Sequence, residues 1–168
     1  MKGLMNYFSY GSNMSIRRLR VRVPSASRLG VGVLRRYELN FHKVSTKDGS
    51  AKCDALATGN PDHLIHGVVY HIPADEKPHL DLVEGLGFGY ELKDILIEMQ
   101  DGAAVPAFCY CATAIDPGLK PFDWYKEHVL MGARENCLPE AYVLGIESIE
   151  SVWDSDAIRR ERELSIYD

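Results

Sequence analysis

Up to residue 111 the apolar positions mostly alternate with polar ones, and beyond Pro121 they recur at helical spacing. Tyr7-Phe8-Ser9-Tyr10 is a short apolar run ending at Gly11-Ser12-Asn13, the form of a strand that stops in a tight turn. Met14, Ile16 and Leu19 then fall among arginines, so a short helix is expected over 14–20. Ser12 or Asn13 stands near its N-cap, and Pro24 ends it. Leu29, Val31 and Val33, then Tyr37, Leu39 and Phe41, predict a half-buried strand over 28–42 with an interruption near Arg35-Arg36. Strands are expected over 54–58 and 67–72, separated by the turn Asn60-Pro61-Asp62.

Pro73-Ala74-Asp75 opens a helical segment whose apolar positions, Leu80, Leu82 and Val83, lead to Glu84-Gly85. Strands over 91–99 and 105–111 are joined by the hairpin pair Asp101-Gly102. Farther on, a helix over 122–131 is expected to stop at Gly132, and Pro139 starts another through Ile146. Six or so strands followed by two or three helices predict an α+β fold. Its centre is a curved, mostly antiparallel β-sheet or small β-barrel with flanking helices.

Composition adds a size and a charge problem. With 46% apolar and 26% charged residues in 168, the chain has the make-up of one compact domain, and no repeat or linker divides it. The expectation is a single domain over 1–168 with a charged extension from about residue 147. The net charge of −5 is unevenly spread. Residues 1–37 hold eight basic side chains (Lys2, Arg17, Arg18, Arg20, Arg22, Arg28, Arg35, Arg36) and no acid, whereas the remainder carries eleven basic and twenty-four acidic ones. Such an arm raises the question of an anionic or nucleic-acid partner. The arginines show no basic periodicity or aromatic interleaving, so most are expected to form a solvated face balancing the acidic body.

No apolar stretch has the length of a secretory h-region or a membrane span, and four scattered cysteines read as thiols. A cytoplasmic protein without membrane association is expected. Cys109 and Cys111 share a strand face but lack C-x-x-C spacing, so two small buried side chains are expected rather than a metal site. Gly85, Gly87 and Gly89 do not make the dinucleotide fingerprint. His66 and His71 fall on opposite faces of a regular strand, and neither gives Ser12 a fixed hydrolase partner.

The strand-to-helix handover at Tyr10-Gly11-Ser12-Asn13-Met14 is the segment with chemical potential. A turn there aims unpaired backbone N–H groups outward, an arrangement that attracts a carboxylate or phosphate. Tyr7 to Met14 resembles the N-terminal loop of the γ-glutamylcyclotransferase, or AIG2-like, family. Two later stretches agree in order: Glu84-Gly85 with Tyr90 beyond it, and Tyr125-Lys126 followed by Gly132-Ala133-Arg134-Glu135-Asn136 and Leu138-Pro139. The resemblance spans about 6–142. The glutathione-specific branch tends to carry Leu where this chain has Asn13, which argues against glutathione as the main substrate.

The resemblance implies an enzyme that releases 5-oxoproline from γ-glutamyl amino acids or γ-glutamyl amines. The substrate's α-amine attacks its own γ-carbonyl, and no cofactor or metal is required. It implies Glu84 as the general acid/base, its carboxyl raised toward neutrality by an apolar pocket. Gly11, Ser12 and Asn13 would hold the substrate α-carboxylate through backbone N–H groups. Tyr10 and Tyr125 would wall the cavity, with Tyr90 and Tyr110 as further candidates. The partner expected is a small molecule and not nucleic acid, and the chain would be a monomer or homodimer. A rival reading is a non-catalytic module on the same fold that binds an acidic ligand or nucleic acid through the basic arm. Glu84 inside a pocket floored by residues 11–13 favours the enzyme; Glu84 in solvent favours the rival.

Overall fold

In the computed structural model, which describes residues 3–168, strand β1 (Leu4–Ser9) runs into the Gly-Ser-Asn turn and sets the position of everything functional. Lys2, one of the eight basic residues, lies outside the described residues. Five strands form a closed barrel in the order β1-β5-β2-β6-β7: β2 (Ser27–Arg35), β5 (Leu64–Pro73), β6 (Tyr90–Met99) and β7 (Ala104–Ala112) join β1. All neighbours are antiparallel except β1 and β7, which close the barrel in parallel through Tyr7 and Phe108. The expected small barrel is therefore present. Closure removes exposed sheet edges.

The strand expected over 28–42 is two strands in different sheets. Arg36 breaks it with a left-handed backbone (φ 68°), and its N–H and C=O turn to His63, Thr58 and Gly59. Beyond it, β3 (Tyr37–Val44) pairs with β4 (Ala51–Ala57), forming a two-stranded ribbon beside the barrel, and bridges to Ile115 through Lys43. A buried contact ties the ribbon down: His42 Nε2 lies 2.7 Å from Asp54 Oδ2, while Asp54 Oδ1 accepts from the Ala112 N–H of β7.

The first helix starts later than expected. Ser12–Met14 forms a 3-10 turn, and Ser15, not Ser12 or Asn13, caps α1 (Ile16–Arg22). Helix α2 (Lys77–Glu84) ends at Gly85, whose left-handed φ of 75° lets its N–H return to the carbonyls of Asp81 and Leu82. Glu84 thus sits on the last turn of a capped helix.

Helix α3 (Asp123–Glu135) runs through Gly132 instead of stopping there. A Cβ at Gly132 would lie 2.5 Å from Met14 Cβ and 2.6 Å from the Ser15 nitrogen, so the glycine is a contact point and not a terminator. The helix ends past Asn136, where Cys137 takes φ 52°. Such a backbone favours glycine. Cys137→Gly is expected to stabilise the protein by roughly 0.5–1 kcal/mol, read as a higher midpoint in urea unfolding.

Helix α4 (Glu140–Glu147) and helix α5 (Ala157–Leu164) follow. The charged tail is docked by specific pairs. Arg159 meets the buried Asp154 at 2.6 Å, Arg18 meets Glu163 at 2.7 Å, and His128 Nδ1 lies 2.6 Å from the Tyr167 hydroxyl. Burial pushes His128 down to about 4, so the folded protein holds it neutral. Its folded value lies below the unfolded one, so its stabilisation is full above about pH 6.5 and is lost as pH falls toward 4. Stability is expected to drop by about 2–3 kcal/mol across that window. Thermal melts of wild type and His128→Gln test this, the variant losing most of the pH dependence.

Candidate active site

Where β1 leaves the barrel, the 3-10 turn, the end of α2, the ribbon and α3 border a small, partly open pocket. Its lining includes Tyr10, Gly11, Ser12, Asn13, Glu84, Tyr90 and Tyr125, so every site residue expected from the sequence comes together. Tyr7, Ser9, Cys53 and Tyr110 complete it.

Glu84 is half-buried, its side chain 18% exposed. The surroundings are polar, not the apolar pocket expected from the sequence: Asn13 Nδ2 donates to Oε1 at 2.9 Å, and Arg22 Nη1 lies 3.7 Å from the same oxygen. Oε2 has no hydrogen-bond partner among the described residues. Asn13 does more with its side chain than the sequence indicated. Its amide also donates to the Tyr7 hydroxyl at 3.1 Å, and its carbonyl oxygen accepts from Arg22. One buried amide therefore fixes the carboxylate, a phenol and a guanidinium relative to one another.

The tyrosines divide by the state of their hydroxyls. Tyr10 donates to the Tyr110 carbonyl, Tyr90 donates to the Cys53 carbonyl at 2.6 Å, and Tyr110 donates to Asp81 at 2.6 Å. Those three wall the cavity with their protons committed. The Tyr125 hydroxyl instead accepts the Cys53 N–H at 2.9 Å and lies beside the Cys53 thiol. Burial raises the pKa of Tyr7, Tyr10, Tyr90 and Tyr125, so all four stay protonated near neutral pH. The Cys53 thiol is pushed up to about 12 by burial and is a poor nucleophile. Ser9 Oγ is buried on the pocket wall and has no hydrogen-bond partner among the described residues.

The Gly132-to-Asn136 stretch acts as a clamp on the turn. Gly132 lets α3 touch Met14 and Ser15. Glu135 accepts the Ile16 N–H at 2.8 Å, and Asn136 Nδ2 donates to the Met14 carbonyl at 3.2 Å. Tyr70, from β5, donates to that same carbonyl at 2.6 Å. The spacing of the motif is thus a packing requirement of the loop that lines the pocket.

Five of the arm's seven described basic residues, Arg17, Arg20, Arg28, Arg35 and Arg36, are exposed, as expected of a solvated face, but Arg18 and Arg22 are not. The side chains of Arg18 and Arg22 are only 12% and 15% exposed and point toward Glu163 and Glu84. Arg28 donates to Asn136, Arg35 to Glu98, and Arg20 and Arg36 to carbonyls. Cys109 and Cys111 are buried with their sulfurs 3.8 Å apart, and no group of potential metal ligands occurs among the described residues. No helix among them is long and apolar enough to cross a membrane.

Comparison with known proteins points one way. Residues 64–146 match the AIG2-like family. The γ-glutamylcyclotransferases of Bos taurus and Homo sapiens are each 31% identical over 147 residues, an alignment covering 86% of this chain and 78% of theirs. A solved γ-glutamyl cyclotransferase superposes with a TM-score of 0.88 at 26% identity, covering 98% of this chain and 99% of that one. Barrel, pocket and sequence agree: the chain belongs to the γ-glutamylcyclotransferase family of enzymes.

Proposed function

We propose that the protein releases 5-oxoproline from γ-glutamyl amino acids or γ-glutamyl amines, with Glu84 as its general acid/base. The observation that carries this reading is the placement of Glu84. Its carboxylate is anchored through one oxygen by Asn13 and Arg22, and it borders the same pocket as the Gly11–Asn13 turn.

The first backbone N–H groups of the 3-10 turn have no preceding turn to accept them, and they receive the substrate's α-carboxylate. That contact folds the glutamyl chain so that its α-nitrogen approaches its γ-carbon. Glu84 takes a proton from the α-ammonium. The freed amine adds to the γ-carbonyl, and the five-membered ring closes. Tyr125, whose hydroxyl borders the pocket, donates to the oxygen on which charge develops. The bond to the leaving nitrogen then breaks as Glu84 returns the proton to it. Two protons leave the α-nitrogen, one to Glu84 before attack and one as the adduct collapses, and two reach the leaving nitrogen, which departs as an ammonium. The step is proton-neutral overall and needs no redox partner and no covalent enzyme intermediate.

The enzyme works on a small molecule alone and in the cytoplasm, a setting in which its four cysteines stay as the free thiols of this structure. Mass-spectrometric detection of 5-oxoproline from a panel of γ-glutamyl dipeptides and amines tests the proposal. Turnover of at least one class is expected. No turnover on the panel, together with salt-sensitive binding to DNA or RNA, would return the non-catalytic reading.

A further inference from the structure

Beyond Glu84 the pocket opens into a wide groove whose walls include Ser12, Tyr90 and Tyr125 from the pocket itself. A substrate whose γ-carbonyl lies beside Glu84 projects its leaving part into this groove. The groove is lined by seven basic side chains and four acidic ones, on a protein of net charge −5. Most of those cations have an acid of their own. Lys52 meets Asp48 at 2.9 Å, Arg18 meets Glu163 at 2.7 Å, and Arg159 meets Asp154 at 2.6 Å.

Lys43 and Lys47 do not. Lys43 is 9% exposed, and its ammonium lies 4.5 Å from the centroid of the Tyr90 ring, beside Gly89. No hydrogen-bond acceptor or carboxylate within ion-pair distance reaches it among the described residues. Lys47, exposed on the turn after β3, donates only to the Val83 carbonyl, at 3.2 Å. Burial lowers the pKa of Lys43; the charges of Glu84 and Asp48 work against that, and the charge of Lys47 adds to it. A buried ammonium with no direct acceptor or ion-pair partner, beside a second ammonium, is stabilised by an anion that contacts both.

We infer that Lys43 and Lys47 form the leaving-group subsite, selecting γ-glutamyl compounds whose leaving part is an acidic amino acid with two carboxylates. The inference rests on the proposed cyclotransferase reaction and narrows its substrate class. Both residues act on recognition of the leaving part, so their effect falls on relative kcat/KM between substrates and not on the proton transfers at Glu84.

The test compares γ-glutamyl-glutamate with γ-glutamyl-glutamine, which differ by one charge at nearly constant shape. Wild type is expected to prefer the glutamate conjugate by roughly tenfold or more in kcat/KM. Lys43→Gln and Lys47→Gln each shrink that ratio, the double variant brings it near one, and Lys43→Arg retains most of it. Because Lys47 is exposed, its variant keeps the test readable if Lys43→Gln fails to fold. Equal kcat/KM values in wild type, or a preference that survives the double substitution, overturn the subsite while leaving the reaction standing. Absence of 5-oxoproline from both conjugates and from every other γ-glutamyl compound overturns the reaction and the subsite with it.

Discussion

Glu84→Gln is expected to lower kcat for 5-oxoproline release by a factor of roughly 10²–10⁴, with little change in melting temperature. Glutamine keeps the shape of the side chain, and its carbonyl oxygen can still accept from Asn13 Nδ2, which now meets Oε1 at 2.9 Å. It cannot take a proton from the α-ammonium or return one to the leaving nitrogen. The loss should therefore appear in kcat more than in KM, because substrate is held largely by the turn and the tyrosine walls. Full activity in Glu84→Gln would remove the carboxylate from the mechanism. Asn13→Ala makes a useful companion, since it frees Glu84, Arg22 and Tyr7 from their shared partner without removing the carboxylate. A smaller loss is expected there, with a KM increase as well.

The second large effect lies away from the chemistry. Gly132→Ala adds a methyl group where the nearest atoms are Met14 Cβ at 2.5 Å, the Ser15 nitrogen at 2.6 Å and the Met14 carbonyl carbon at 2.7 Å. Two of those atoms are backbone and have no rotamer to yield. Helix α3 and the 3-10 turn must separate, which is expected to cost about 1–3 kcal/mol of stability. The turn that moves lines the pocket, so kcat/KM should fall by roughly a hundredfold even in well-folded protein. Gly145→Ala is the control. It lies in α4 with open space around its Cβ position, and it should be neutral or stabilising, by up to about 1 kcal/mol. If Gly132→Ala behaves like Gly145→Ala, the clamp has no role in shaping the site.

Much of this was legible in the sequence where local rules and tertiary packing agree. Alternation locates β6 and β7, Asp101-Gly102 locates their hairpin, and the Gly-Ser-Asn turn marks a site of outward-facing amides, whereas Glu84 is singled out only through the family resemblance. The failures have a common cause. Arg36 splits one apparent strand between two sheets because its carbonyl and N–H find partners in a turn twenty or more residues away. Gly132 sits inside a helix because an approach from Met14, distant in sequence, demands the absence of a side chain. Arg18 and Arg22 turn inward because their acids, Glu163 and Glu84, come from the far tail and from α2. Lys43 gave no signal at all, being one lysine in an alternating strand. Only the fold reveals that it is buried over Tyr90 without an acid.

The central claim is that the substrate's own amine, deprotonated by Glu84, displaces the leaving group. It is tested most directly by turning over a γ-glutamyl dipeptide labelled with heavy nitrogen at the glutamyl α-amine, in oxygen-labelled water, and analysing the products by mass spectrometry. The account predicts 5-oxoproline that keeps the nitrogen label in its ring and gains no oxygen from water, formed by wild type and lost in Glu84→Gln. Glutamate carrying oxygen from water would mean hydrolysis, and would contradict it.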